Sequence, residues 1–380
     1  MTLPWIYECA TAAAIGWFAW QGNPWLIPLS AGVPVLAFLQ PTRWQAFTIA
    51  FAYYAAASWP IISAALSYFD PAPPTWQSTI YWLTPSLLLT LPWTACWTDI
   101  RRNIWYRVPL AFALSILPPI GIIGWASPLS AAGLLFPGWS WFGLALLIGL
   151  TAYAVLHRLA AGAVALVCAL VANLTWPGQS GPPTDWEGVH SELGRMTDPA
   201  DPAPEFQASE TFQRLARQST KRAIVFPEFI VANWTEATEA YWQSTITQAR
   251  ATGKTLVVGA GLDHRNAILV RGATTAAPFF QRIPVPIIMW NPLTPMASMP
   301  ITPFGAGTLE IAGHRAAILV CYEQLLPWLI LKSATERPAL ILAISNDHWV
   351  KHTSIPAVKA STLTAWSRLF RLPVIQATNR

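Results

Sequence analysis

The chain has 380 residues, is 54% hydrophobic, is only 11% charged and carries a formal net charge of +5. Ordinary globular proteins are about a quarter charged, so the composition argues against a plain water-soluble domain. The modest net charge includes no basic run, and nucleic acid is not expected as a partner.

The charge is unevenly spread. Five of the 23 Lys and Arg residues (Arg43, Arg101, Arg102, Arg107, Arg158) and three of the 18 acids (Glu8, Asp70, Asp99) precede Pro177. Such a step predicts a membrane part followed by a water-facing part. In the first part, apolar stretches recur at about 4–20, 24–40, 44–69, 77–97, 108–127, 139–156 and 159–176. Most approach the roughly twenty residues that cross a bilayer core. The expected count is seven spans, with six or eight as alternatives and the short first two readable as one re-entrant hairpin. Trp5, Trp25, Trp44, Trp76, Trp97, Trp105, Trp139 and Trp141 gather at segment ends, as in interfacial belts. Arg43 follows the second stretch, Arg101, Arg102 and Arg107 the fourth, and Arg158 the sixth; the loops after the first, third and fifth hold no Lys or Arg. The positive-inside rule then puts the N-terminus in the cytoplasm and everything after Trp176 on the far side. In a bacterium that is the periplasmic face of a multi-pass inner-membrane protein. The first stretch lacks the basic start of a cleaved signal peptide and is expected to be retained. The apolar, turn-rich loop 127–139 reads equally as a segment dipping into the interface and as a connector.

Residues 177–204 read as a Pro/Gly-rich linker enclosing a first short strand at 186–193. Helices are then predicted at 205–220 and 235–252, and strands at 223–226, 255–259, 267–271, 315–320 and 339–344. This alternation predicts a layered α/β domain over 205–380. Three motifs stand at strand ends: Phe226-Pro227-Glu228-Phe229, Cys321-Tyr322-Glu323 and Ser345-Asn346-Asp347-His348-Trp349. Taken singly, Cys321 reads as a small buried hydrophobe, Glu228 as a cap or surface acid, and Asp347 and His348 as a turn. Taken together they bring a carboxylate, a thiol and a polar loop to the carboxyl ends of strands, where open α/β sheets carry their chemistry. Glu228 suits a general base and Cys321 a nucleophile that forms a thioester. His348, beside Trp349, is expected to shape the rim. Cys9, Cys96 and Cys168 lie in apolar stretches, so no disulfide framework is indicated. No cluster has zinc-ligand spacing, and neither a metal nor another cofactor is expected.

The order Pro227-Glu228, Cys321-Tyr322-Glu323, then Ser345-Asn346-Asp347-x-Trp349 resembles the nitrilase (carbon–nitrogen hydrolase) superfamily. Residues 344–349, 373–379 and the 129–139 loop are similar to its membrane-embedded group, which contains apolipoprotein N-acyltransferase. Residues 225–229 and 233–242 most resemble the TraB-type conjugal transfer proteins of plasmids. The resemblance covers essentially the whole chain. It implies an α-helical polytopic membrane bundle carrying an α/β nitrilase-like αββα sandwich, and a Glu–Lys–Cys triad. Glu228 and Cys321 match the triad. In the stretch 279–289, Gln281 stands at the lysine position with Arg282 beside it, and Met289 replaces a final acid. The family lysine stabilises an oxyanion. Arg282 is its candidate replacement, although Arg is no free substitute for Lys. Gln281, Tyr322, Glu323, Asn346, Asp347 and Trp349 are the expected oxyanion and pocket residues. Relatives continue beyond the position of Arg380 with further strands, so the sandwich is expected to be C-terminally shortened, with one sheet edge uncovered. The implied function is Cys-dependent acyl transfer or amide hydrolysis at the extracytoplasmic face, on a membrane lipid or lipid-linked substrate. The alternatives are a non-catalytic envelope component working with conjugation proteins, and an apolipoprotein N-acyltransferase of lipoprotein biosynthesis. A transporter is disfavoured because the spans carry almost no charge.

Overall fold

The computed structural model describes residues 3–69, 72–196, 201, 203–291, 294 and 298–380. Most of the Pro-rich stretch 198–204 therefore lies outside the described residues. The chain forms two compact units that do not follow a single cut in the sequence. The first comprises residues 1–179, 325–328 and 352–371; the second comprises 180–324, 329–351 and 372–380.

In the first unit each of the seven apolar stretches is largely helical. The helices are α1 (Leu3–Ala19), α2 (Gly32–Phe38, entered through a 3-10 turn), α3 (Arg43–Ala57), α4 (Pro60–Tyr68), α5 (Thr75–Cys96), α6 (Ile104–Ile116), α7 (Ala131–Leu135), α8 (Ser140–Leu156) and α9 (Arg158–Leu174). Thr42 caps α3 by accepting from the Gln45 amide at 3.3 Å. Pro60, which has no N–H to donate, opens α4 at its first turn, and the chain bends by 44° there. Among the described residues no single helix is long and apolar enough to cross a membrane. Two bent pairs reach that length and apolarity together: α3 with α4, and Pro128–Leu135 with α8, the latter across a 120° bend.

Aromatic side chains with satisfied polar tips hold this unit's core. Trp20 donates to the Tyr53 hydroxyl at 2.8 Å, which donates to the Ala126 carbonyl at 2.8 Å, and Trp93 donates to Tyr54 at 3.0 Å. Buried indole N–H and phenol O–H groups usually find a hydrogen-bond partner, and these three do. A further helix, Ile355–Phe370, comes from far down the chain and belongs to this unit. At Gly133 of α7 a Cβ would lie 1.7 Å from the Ala365 carbonyl oxygen, so the two backbones touch only because residue 133 has no side chain.

The second unit contains two five-stranded sheets. The first has the order β1-β3-β4-β5-β6, formed by β1 (Trp186–Gly188), β3 (Ala223–Val225), β4 (Thr255–Leu262), β5 (Arg265–Gly272) and β6 (Ala276–Phe280). The second has the order β2-β10-β9-β8-β7, formed by β2 (His190–Ser191), β7 (Thr308–Ile311), β8 (His314–Val320), β9 (Leu340–Asn346) and β10 (Val374–Asn379). The expected strand at 186–193 is thus split, with one half in each sheet. Alternation assigns the faces. Val225, Val257, Ile268 and Val270 of the first sheet share one core with Ile318, Val320, Leu342, Ile344 and Ala377 of the second. The residues between them, such as Ile224, Leu256, Val258 and Leu269, pack with Phe212 of α10 (Ala203–Gln218) and Trp242 of α11 (Glu236–Ala251). Helix α12 (Pro327–Thr335) follows a 3-10 turn at Cys321–Leu325, and Ile355–Phe370 is α13. Helices α10 and α11 thus cover one face of the first sheet, and its other face shares a core with the second sheet. The edge expected to be bare is partly covered: Thr378 and Asn379 of β10 pair in parallel with His190 and Ser191 of β2.

Candidate active site

Strands β3 and β4 of the first sheet run parallel to each other, as do β8, β9 and β10 of the second, so their carboxyl ends collect along one edge of each sheet. Glu228, Cys321 and Asn346 come from such ends. Glu228 follows β3, and Gly259 in β4 lets it approach. A Cβ at Gly259 would lie 2.4 Å from the Pro227 carbonyl oxygen and 2.7 Å from the Glu228 Cα. Cys321 follows β8 in the left-handed region, at φ 48°, and Phe229 beside Glu228 stands at φ 52°. For a residue with a Cβ that conformation costs about 1–2 kcal/mol. Turns held in it at a cysteine and beside a carboxylate are the kind of strain that clusters at functional sites.

The carboxylate and the thiol turn are linked by two amides. The Glu228 Oε1 accepts from Asn266 Nδ2 at 2.5 Å, and its Oε2 accepts from the Asn346 backbone N–H at 2.9 Å. The same Asn266 Nδ2 donates to Gln281 Oε1 at 2.9 Å. Gln281 Nε2 donates to the carbonyl of Val320, one residue before Cys321, at 3.2 Å. Backbone pairing supports the link, since the Gln281 N–H donates to the Asn266 carbonyl at 2.9 Å. Glu228, Asn266 and Gln281 are all buried. Neutral amides therefore stand where the resemblance expects an ammonium group.

Arg282 does a different job. Its guanidinium donates to Ser333 Oγ at 3.2 Å and to the Ile318 carbonyl at 3.0 Å, and it stands 3.6 Å from Glu323 Oε2. Glu323, fully buried, also accepts from three backbone N–H groups: Arg282 at 2.6 Å, Ile283 at 3.1 Å and Val320 at 3.1 Å. It ties the segment carrying Gln281 to the turn carrying Cys321. One carboxylate thus fixes both loops, and Arg282 serves as its counter-charge.

The third motif closes the site's frame. The Asn346 side-chain oxygen accepts from Asn379 Nδ2 at 2.9 Å and faces His348 Nδ1 at 2.9 Å. A carbonyl oxygen can only accept, so Nδ1 carries the proton. Asn379, wholly buried, also gathers Ser191, Leu193 and Gly194. Burial, aided by the charges of Arg195 and Lys351 and opposed by Asp347, holds the His348 imidazole below its usual range. Asp347 is buried, its N–H donating to the Asn379 carbonyl at 2.7 Å and its own carbonyl accepting from Val350 at 3.0 Å. Trp349 is half-buried in the same turn. Tyr322 is half-buried next to the thiol, and burial pushes its phenol well above the ordinary value. Among the described residues no group of three or more His, Cys, Asp or Glu is arranged to hold a metal ion.

Sequence reasoning missed Asn266. Its signal was available: Asn266 shares the period-2 parity of Ile268 and Val270, so a polar residue was being delivered to the inward face. The same parity from Phe279 sends Gln281 inward and sends Phe280 to the opposite, helix-covered face.

No family model matches the chain. The conjugal transfer protein TraB of Agrobacterium fabrum is 30% identical over 385 residues, covering 96% of this chain and 90% of the relative. A probable conjugal transfer protein TraB of Sinorhizobium fredii is 29% identical over 377 residues, covering 96% and 95%. Among solved structures, an amidase from a Nesterenkonia species is similar over 51% of this chain and 76% of its own, at 13% identity and a TM-score of 0.35. A carbon–nitrogen hydrolase from Helicobacter pylori is similar over 50% and 72%, also at 13% identity and a TM-score of 0.35. With 30% identity sustained across nearly the whole of both chains, this chain belongs to the family of the conjugal transfer protein TraB.

Proposed function

We propose that the chain is a membrane-held protein of plasmid conjugation whose nitrilase-like unit performs Cys321-dependent acyl transfer or amide hydrolysis. The observation that carries this reading is the continuous link from Glu228 through Asn266 and Gln281 to the carbonyl that precedes Cys321. Glu228 takes the thiol proton as the Cys321 sulfur attacks a carbonyl carbon. The tetrahedral intermediate then collapses, the carbon–nitrogen or carbon–oxygen bond breaks, and the leaving amine or alcohol departs with the proton from Glu228. Water or an acceptor amine attacks the resulting thioester and frees the thiol. Without a cation at residue 281, oxyanion stabilisation falls to neutral donors. The loss of one such interaction commonly slows acyl transfer by about two to three orders of magnitude.

The membrane reading rests on apolar surface. Leu159 and Leu174, at the two ends of α9, are 92% and 82% exposed, and Leu166, Val167, Leu170 and Val171 between them are exposed as well. A contiguous apolar face of this length marks a membrane or protein contact. The charge asymmetry of the connecting loops favours an extracytoplasmic second unit, hence a lipid or lipid-linked acyl source. The neutral Gln281 favours a second reading, a non-catalytic envelope component that keeps the fold. An apolipoprotein N-acyltransferase reading is weakened by the same residue.

The two readings separate in one experiment. The purified chain is incubated with bacterial membrane lipid and analysed by intact mass spectrometry. A hydroxylamine-labile acyl adduct that vanishes in Cys321→Ala supports catalysis. No adduct, together with undiminished plasmid transfer by Cys321→Ala, supports the scaffold.

A further inference from the structure

The first unit carries two arginines that the candidate chemistry does not use. Arg368, near the end of α13, donates to Asn173 Oδ1 at 3.1 Å. Its guanidinium stands 5.0 Å from the Trp25 ring centre and 5.5 Å from that of Trp176. Arg371, the residue that ends α13, stands 5.8 Å from the same Trp176 ring. Neither arginine lies within ion-pair distance of a carboxylate among the described residues, and the Arg368 Nε is buried without a hydrogen-bond partner. Two like charges gathered on one indole, with no acid between them, repel each other until an anion arrives. Arg371 holds φ 58°, a conformation in which Gly or Asn is usual, so the backbone bears a cost to keep a guanidinium there. The Gly138 N–H anchors the cluster by donating to the Arg368 carbonyl at 2.8 Å.

The placement along α9 tells what the anion belongs to. Trp176 and Asn173 stand at the end of α9, whereas Arg158 opens the helix and Arg101 donates to the Leu156 carbonyl at that same start. Seventeen residues of helix separate these two ends by about 25 Å, short of the roughly 30 Å hydrocarbon core of a bilayer. The apolar face of α9 lies between these two cationic ends. Exposed Trp25 and half-buried Trp176 mark the second end as an interface at headgroup depth. A guanidinium fork matches two phosphate oxygens, and paired forks hold a phosphodiester better than lysines would.

We propose that Arg368 and Arg371, bracketed by Trp25 and Trp176, form a binding site for the phosphodiester of an anionic phospholipid. This rests on the membrane reading given above, and it adds a lipid-anchoring site remote from Cys321 in sequence. The site binds an annular lipid and fixes the depth of the first unit in the leaflet.

The test uses the full chain in vesicles of phosphatidylcholine alone or with phosphatidylglycerol, scored by flotation and then by native mass spectrometry of retained lipid. The wild type is expected to float with both vesicles and to retain phosphatidylglycerol preferentially. Each arginine is expected to contribute roughly a fivefold preference. Arg371→Gln, a change at an exposed residue, should lower the preference about fivefold, and the Arg368→Gln/Arg371→Gln pair should abolish it while flotation persists. An unchanged preference in both variants overturns the site. Loss of the preference in millimolar inorganic phosphate overturns the lipid assignment in favour of a free-phosphate site. Failure of the wild type to float with either vesicle overturns the membrane reading and the site with it, an outcome distinct from the other two.

Discussion

Glu323→Gln changes one atom and removes one charge, and its effect follows from four contacts. In the wild type one carboxylate oxygen accepts from the N–H groups of Arg282 and Ile283, and the other accepts from Val320 and faces the Arg282 guanidinium. Glutamine can keep its oxygen on the first pair only. Its NH2 then opposes the Val320 N–H and the guanidinium, donor against donor. An orphaned buried N–H costs about 1–3 kcal/mol, and breaking a buried ion pair by removing one partner costs about 3–5 kcal/mol in all. Because both charges are almost completely buried, little of that is relieved by water. The expected loss is therefore about 3–5 kcal/mol, a large part of the 5–15 kcal/mol that ordinarily stabilises a domain. Hydrogen exchange read on peptides covering β8 and β9 measures it within the second unit, separately from the helices. The Cys321 turn should loosen in step, since Val320 loses its anchor. Adding Arg282→Met removes the stranded charge and should restore part of the loss, a coupling that a double-mutant cycle isolates. A loss below about 1 kcal/mol, or additive single effects, would refute the reasoning.

Three further outcomes follow from the site. Gln281→Lys places a cation between Asn266 and the Val320 carbonyl, and formation of the Cys321 acyl adduct should rise by about two orders of magnitude; an unchanged adduct rate counts against an oxyanion role for residue 281. Gly259→Ala drives a Cβ into the Pro227 carbonyl and Glu228 backbone, which should cost about 1–3 kcal/mol and reduce adduct formation, whereas loss of stability alone would detach Glu228 from the chemistry. His348 is held below its ordinary value of 6.5 by burial, so the unfolded chain binds the proton more readily than the folded one. Stability of the second unit should therefore be complete above about pH 6.5 and decline as the pH drops below it; His348→Gln should flatten that slope in thermal melts between pH 5 and 7.5.

Much of the second unit could be read from alternation. The strands at 223–226, 315–320 and 339–344 are continuous apolar runs ending in Glu228, Cys321 and Asn346, and they stand within a residue or two of those bounds. Short β6 and β7 carry no such run and were not predicted. The split of residues 186–191 between two sheets has no local signature either, because it is set by partners more than thirty residues away, Ala223 and Thr378 among them. The allocation of α13 to the helical unit is likewise non-local. Its close approach depends on the pairing of small residues Gly133 and Ala365, which no periodicity announces. Arg282 drew attention as the nearest cation to the missing lysine, but side-chain direction is set by the strand before it and by the buried Glu323, not by adjacency in sequence. Helical stretches in the first half were legible from apolarity, whereas the bend at Pro60 was not, since it breaks a segment, 44–69, that reads as continuous.

The central claim is that Glu228 still activates Cys321 across a site linked by the neutral amides of Asn266 and Gln281. The most direct measurement is the rate of carbamidomethylation of each cysteine by iodoacetamide, resolved by peptide mass spectrometry, in wild type and in Glu228→Gln. The account predicts that Cys321 reacts faster than Cys9 and Cys168 at pH 7, and that Glu228→Gln slows Cys321 alone by about tenfold or more, within the usual reach of a general base. A Cys321 rate no greater than that of the other thiols, or one indifferent to Glu228→Gln, would contradict it.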